Sequence, residues 1–310
     1  MNSKRLKSYI YLIIVAGIWG AAGPIIKFTL KELPPFTFLT YRFFITSLLL
    51  IPIMIASKEK FPKESKKNLT LFILSLLGTT INLGLLFVGL KFTSVLDQTF
   101  ISGTGPIFTI LASSIFLKDK ITKREKIGII ITFLGTTVII IQPLLENSLL
   151  AYNNLFGNIL ILLANVSWMG YVIISKKQMR EKVSPLTMAV SNFFIGFITL
   201  LPLAVLENHG AKNMISLISN ISLGTQLGVF YMAIISGALG YYLFQLGQKS
   251  IESSEAAIFS YLQPLFSTPL AIIWLKEEIS SSFSIGVSII IVGIIIAQYK
   301  NKSLARKALG

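Results

Sequence analysis

Few side chains in this 310-residue chain can make or break bonds. It has no cysteine and a single histidine, His209, and its 13 acidic residues are scattered, mostly beside lysine. Thiolate and zinc sites and nucleophile–imidazole pairs therefore lack their raw material. No clustered acids and bases meet the requirements of a catalytic centre. No catalytic residue, cofactor or metal is expected. The chemistry left over is recognition: amides, hydroxyls and wide aromatic rings set inside long apolar runs, where an unmatched polar group is costly.

The elements that carry these residues follow from composition. Hydrophobic residues make up 53% of the chain and charged ones 13%, with a mean hydropathy of +0.74, against roughly a quarter charged in a soluble protein. Apolar stretches of about 17–25 residues, the length needed to cross a bilayer as helix, recur at 8–30, 36–57, 69–90, 97–117, 127–145, 155–175, 185–206, 223–247, 256–275 and 283–299. The expected fold class is an all-α integral membrane protein of ten transmembrane helices, since ten-residue alternation, the barrel pattern, is absent.

The net charge of +15 is explained by topology. Alternate connectors hold 22 of the 28 Lys and Arg residues, from Lys4, Arg5 and Lys7 through Lys118–Lys126 to Lys300–Lys307, whereas the other side has Lys31, Lys91, Lys212 and Lys276. Positive charge stays in the cytoplasm, so both termini are expected there, and nucleic-acid binding is not expected.

The second half restates the first. Trp19, Lys27 and Glu32 recur 149 residues later as Trp168, Lys176 and Glu181. After a one-residue slip Pro35, Thr37, Phe43 and Phe44 match Pro185, Thr187, Phe193 and Phe194. An offset of 158 then pairs Gly89, Lys91, Ser102, Pro106, Gly128 and Gly135 with Gly247, Lys249, Ser260, Pro264, Gly286 and Gly293. Two units follow, 1–148 and 149–310, each of five spans. An odd number forces the copies to lie upside down to one another, with a site at their interface able to open to either side. Basic Lys118–Lys126 becomes Lys276, Glu277, Glu278 and serines in the second copy, as inversion requires. The first span could be read as a cleaved signal peptide, but its match to span six argues for a retained helix. No GxxxxGK[ST] phosphate loop is present, so gradients are expected to supply any driving force.

The stretches 18–44, 89–140, 167–178 and 237–278, with their repeated Trp, Pro and helix-end charges, resemble the EamA-type branch of the drug/metabolite transporter superfamily over nearly the whole chain. The resemblance implies two inverted five-helix repeats, a central cavity lined by helices 1, 3, 4, 6, 8 and 9, and transport of small metabolites, often outward. On those helices the polar and aromatic residues form stripes: Trp19 with Gly23; Thr79 with Asn82; Gln98, Ser102 and Thr104; Asn165, Trp168 and Tyr171; Tyr241, Gln245 and Gln248; Ser260, Gln263 and Ser267. Trp19, Asn82, Gln98, Ser102, Thr104, Asn165, Trp168, Tyr171, Tyr241, Gln245 and Gln263 are the expected substrate contacts. Together they would make an uncharged pocket for a neutral or zwitterionic solute such as an amino acid. The competing account of each hydroxyl or amide is interhelical hydrogen bonding without a ligand.

Ionisable groups within the spans have structural readings too. Lys27 can snorkel or pair with Glu32. Arg42 lies too deep to snorkel, and is expected to pair with helix-end carbonyls or an acid on a peripheral helix. Asp97 and Glu255 occupy matched helix starts, where capping by Ser94 and the helix dipole compete with a proton-coupling role. Pro106 and Pro264 would kink helices 4 and 9, and Gly224 with Gly228 forms a weak close-contact motif. A membrane enzyme finds no catalytic cluster. A receptor or scaffold would not need matched halves, and an organic-anion or phosphate exchanger would need cations facing the cavity. The Ile, Lys and Asn richness points to an AT-rich genome and a bacterial plasma membrane.

Overall fold

The computed structural model describes residues 3–116, 123–145, 151–251, 256 and 259–298. Glu255, Lys118, Lys120 and the C-terminal lysines lie outside them. The regular elements among the described residues are all helical, without strands. In chain order they are α1 Ser3–Thr29, α2 Pro35–Ala56, α3 Ser65–Ser75, a π-helical turn Leu76–Ile81, α4 Asn82–Phe92, α5 Val95–Ser102, α6 Gly105–Phe116, α7 Lys123–Leu145 and α8 Ala151–Arg180. There follow α9 Pro185–Glu207, α10 Ala211–Ser219, α11 Leu223–Phe230, a second π stretch Tyr231–Leu239, α12 Gly240–Lys249, a 3₁₀ turn Phe259–Leu262, α13 Gln263–Ile273 and α14 Ser281–Gln298.

Seven continuous helical segments are long and apolar enough to cross a membrane: Arg5–Thr29, Pro35–Ala56, Ser65–Phe92, Lys126–Leu145, Ala151–Arg180, Pro185–Glu207 and Leu223–Lys249. The other three expected spans differ for a local reason. Span four divides into α5 and α6, and span nine into the 3₁₀ turn and α13, each broken just before a proline at the second helical position, Pro106 or Pro264. Proline has no N–H for the preceding turn, so the expected kink becomes a break. Span ten is the shorter apolar helix Ser281–Ile296. The added helix α10 occupies a connector that had no expected span.

Large apolar side chains point outward on many helices, among them Ile13, Leu48, Ile55, Ile130, Leu134, Leu203 and Ile295. The interior instead holds Thr, Ser, Asn and Gln beside its Leu and Phe. That distribution suits lipid, which favours apolar surface and drives polar groups inward to find partners.

The helices approach through small residues and are held at their ends by charged side chains. Helices α7 and α14 run antiparallel, and a Cβ on Gly135 would stand 2.8 Å from the Gly286 carbonyl, one on Gly293 2.9 Å from that of Gly128. The Gly224/Gly228 motif meets α1, where a Cβ on Gly228 would reach 2.5 Å from Thr29 Oγ1. Lys27 Nζ donates to the carbonyls of Leu90 and Thr93 at 2.7 and 2.6 Å, and Lys176 Nζ donates to those of Gln248 and Ile251. These acceptors are separated by the same 158 residues as the repeat. The expected Lys27–Glu32 pair is replaced, because the end of α4 offers carbonyls with no helical donor.

Acids do the same at helix starts. The Glu207 carboxylate accepts from Thr37 N and Oγ1, both at 2.9 Å, at the head of α2. Glu59 accepts from Ser184 and Thr187 hydroxyls at the head of α9, and Glu277 from Val95 N and Leu96 N at 2.8 and 2.9 Å. Asp97 N donates to Ser94 Oγ at 2.9 Å, the expected cap. His209, at φ +53°, is the left-handed residue that closes α9, its N–H donating to the Leu206 carbonyl.

Exposed Glu32 accepts from Ser222 Oγ and N at 2.5 and 2.7 Å at the head of α11. The Ser222 hydroxyl first, then its amide, hold this carboxyl below the usual carboxylate range. A folded-state pKa below the unfolded one stabilises fully above the unfolded value and is lost as pH falls through the folded value. The difference in melting temperature between wild type and Glu32→Gln should therefore narrow as pH falls from about 7 to about 3; a gap independent of pH would refute this cap. Gly135→Leu, which must part α7 from α14, should lower stability by about 1–3 kcal/mol, read as a drop in the detergent melting midpoint. An unchanged midpoint would contradict the close approach.

Candidate substrate cavity

A cavity of about 170 Å³, open to water-sized molecules, lies between the first-half and second-half helices. By the space one water centre needs, this holds on the order of ten waters or one small solute. α1 contributes Trp19, Ala22 and Gly23; α4 Asn82 and Phe87; α5 Gln98 and Ser102; α6 Pro106; α8 Asn165 and Trp168; α12 Tyr241 and Phe244; α13 Gln263. Eight of the eleven expected contacts thus share one wall: Trp19, Asn82, Gln98, Ser102, Asn165, Trp168, Tyr241 and Gln263.

Trp19 and Trp168, the repeat-matched pair, meet edge to face with ring centroids 5.5 Å apart, and Phe244 lies 5.3 Å from each. Trp19 Nε1 donates to the Ser236 carbonyl at 3.1 Å and Tyr241 OH to that of Gly78 at 3.0 Å. Both acceptors sit in the π-helical stretches, where altered backbone pairing makes carbonyls available to side chains. The two positions differ by 158 residues, as the repeat does.

The amides split between the two readings they were given. Asn82 Nδ2 donates to the Ala164 carbonyl and Asn165 Nδ2 to that of Ile101, each at 2.7 Å. Both bonds join neighbouring helices, yet each Oδ1 keeps no donor among the described residues at the cavity wall. Gln98 Nε2 donates to Ser102 Oγ at 3.1 Å.

Three expected contacts lie off the wall. Thr104 turns its Oγ1 back to the Ile101 carbonyl at 2.6 Å, in the break before α6. Tyr171 and Gln245 are fully buried in a network behind the cavity: Asn192 Nδ2 donates to Tyr171 OH at 2.9 Å, Gln245 Nε2 donates to the same hydroxyl, and Gln248 Nε2 donates to Gln245 Oε1 and Ser175 Oγ. Helical spacing put these side chains on one stripe, but Asn192 on α9 and Gln248 on α12 bond to them there.

Two ionisable groups complete the site's surroundings. Asp97 is buried beside Thr93 Oγ1 and Asn158 Nδ2, at 3.1 and 3.4 Å, off the cavity wall. Arg42, expected to pair with carbonyls or an acid on a peripheral helix, instead lines the cavity. It is 1% exposed, and its Nε and Nη1 have no hydrogen-bond partner among the described residues. Its guanidinium carbon lies 5.7 and 5.8 Å from the ring centroids of Phe43 and Phe87. The wall is therefore not uncharged. The sequence signal was Arg42's depth within its span, which snorkelling could not explain.

Known proteins fit this architecture. The EamA-like transporter family matches residues 6–141 and again 155–299, and the chain belongs to that family. The uncharacterized transporter YyaM of Bacillus subtilis is 27% identical over 84% of each chain. An uncharacterized transporter of Archaeoglobus fulgidus is 26% identical over 97% of this chain and 99% of its own. A WAT1-related protein of Arabidopsis thaliana is 22% identical over 94% of this chain and 78% of its own. A solved crystal structure, 17% identical, superposes with a TM-score of 0.62 over 95% of this chain and 98% of that one. It bears on the fold alone. The chain is a multi-pass membrane protein.

Gln245→Leu, which strips Tyr171 and Gln248 of a buried partner, should cost about 1–3 kcal/mol of stability. Gln263→Leu, on the wall with no side-chain bond among the described residues, should change the melting midpoint little, by about 0.5 kcal/mol or less. Equal losses for both would contradict the separation of wall from network.

Proposed function

We propose that the protein is a secondary transporter that carries small metabolites by alternating access, with both termini in the cytoplasm of a bacterial plasma membrane. The carrying observation is the cavity itself, placed where matched Trp19 and Trp168 from the two halves touch. The reading of ten spans in two inverted repeats, 1–148 and 149–310, is supported by contacts that recur at the repeat's own offsets. Lys27 and Lys176 hold matched helix ends, Gly135 and Gly286 meet across antiparallel helices, and the π stretches end at matched Ile81 and Leu239. Halves so related can rock about a central site with similar energy on either face.

The eight wall residues from Trp19 to Gln263 are the proposed substrate contacts, with the rings supplying area and the amides orientation. Export is the direction the family resemblance implies, and a proton or other gradient supplies the drive. Amino acids remain fitting solutes because they carry a carboxylate; a wholly neutral solute would leave Arg42 unanswered.

The test is flux through the purified protein in vesicles, across amino acids and related metabolites, with and without a pH gradient. Saturable, counterflow-competent movement of at least one solute is expected, reduced at least tenfold by Trp168→Ala. Absence of flux for every solute through a folded protein would favour the receptor or scaffold reading.

A further inference from the structure

The second half shows how this fold meets the donor of a polar residue at the position of Arg42, leaving only the Asn192 Oδ1 without a partner among the described residues. The repeat aligns Arg42 with Asn192, Ala22 with Tyr171 and Phe87 with Gln245. In the second half those three form one connected network, Asn192 and Gln245 both donating to the Tyr171 hydroxyl. In the first half every partner is gone: the hydroxyl has become the methyl of Ala22, the amide has become the ring of Phe87, and the amide facing them has become a guanidinium. Ala22, Arg42 and Phe87 all line the cavity. The space that Tyr171 fills in one half is therefore open in the other, with a cation at its edge.

Among the described residues that cation meets no hydrogen-bond acceptor at its buried Nε or Nη1 and no acid, and no Asp or Glu is found on the cavity wall. Cation–π contact with Phe43 and Phe87 offsets part of the desolvation but leaves the N–H donors unmet. A buried guanidinium with free donors costs several kcal/mol unless paired, and its planar fork matches a carboxylate best. In the other half a neutral amide stands at this position, and its Nδ2 is met by the Tyr171 hydroxyl.

We propose that Arg42 is the anion-recognition residue of the cavity, binding the carboxylate of a small solute whose apolar or aromatic body rests against Trp19, Trp168 and Phe244. No acid is placed to meet an ammonium group, so a simple monocarboxylate fits better than a cationic amine. The proposal rests on the transporter reading for its biological sense, but binding tests it without transport.

The experiment compares carboxylates with their primary amides on identical bodies, from propionate to 3-phenylpropionate and 3-indolepropionate, by tryptophan fluorescence of the purified full chain in nanodiscs. Wild type should bind at least one acid of the series, at least tenfold tighter than its amide. Arg42→Lys should keep part of that ratio and Arg42→Gln should bring it to unity. Should Arg42→Gln fail to fold, the wild-type ratio and Arg42→Lys still decide. Wild-type ratios near one, no acid binding below 10 mM (about 3 kcal/mol of binding), tighter binding of a phosphate ester of the same body, or an undiminished ratio in folded Arg42→Gln would each overturn the proposal. The same pairs are followed for flux in vesicles. Flux of amides and acids alike would leave the transporter reading standing and remove Arg42's role, whereas acid-selective binding without flux would do the reverse.

Discussion

A helix that stops or breaks leaves carbonyls and amides without a helical partner, and where burial keeps water away each must find one in the protein. Much of this molecule's architecture answers that requirement. Lys27 and Lys176 reach the terminal carbonyls of α4 and α12, and Glu277, Glu207 and Glu59 reach the heads of α5, α2 and α9. Each of these bonds joins segments far apart in sequence, so satisfying helix ends also sets which helices are neighbours. The long Lys stem can lie along apolar surface while its charge reaches a helix end, which explains why a cation survives within each span.

The matched bonds give the two halves a common frame, and the cavity arises where their fillings differ. Trp19 and Trp168 face one another from equivalent positions, but Tyr171 packs so close to the first π turn that a Cβ on Gly78 would lie 2.3 Å from its ring. Its counterpart Ala22 leaves room. Around Tyr171 the side chains of Asn192, Gln245 and Gln248 bond to one another, whereas Arg42, Asn82, Asn165 and Gln263 keep donors or acceptors at the open wall. Related halves with unequal contents thus leave a chemically distinct pocket between them.

Much of the fold could be read from periodicity and charge. Long apolar runs located seven continuous spans to within a few residues, because lipid allows backbone little alternative to helix. The Ser94 cap on Asp97 and the close contact at Gly228 were also legible, being set by neighbours in sequence or by residue size. The breaks before Pro106 and Pro264 were foreseen only as kinks, since whether a turn bends or opens depends on what accepts its freed carbonyls. In the break before α6, Thr104 and Asn165 both donate to Ile101.

The cavity wall was readable as stripes but not as contacts. Helical spacing placed Tyr171 and Gln245 beside Trp168 and Tyr241 because it records a direction from one helix, and says nothing of the helix that meets it. Residue type and order alone therefore determined the membrane-spanning helical class, the internal repeat and the set of polar side chains needing partners. Tertiary packing alone decided which of those needs were met. Asn192 on α9 closes one network behind the wall, and Arg42 on α2 is left facing the cavity, because satisfaction of a buried polar group depends on the groups a few ångströms away across helices, however distant in sequence.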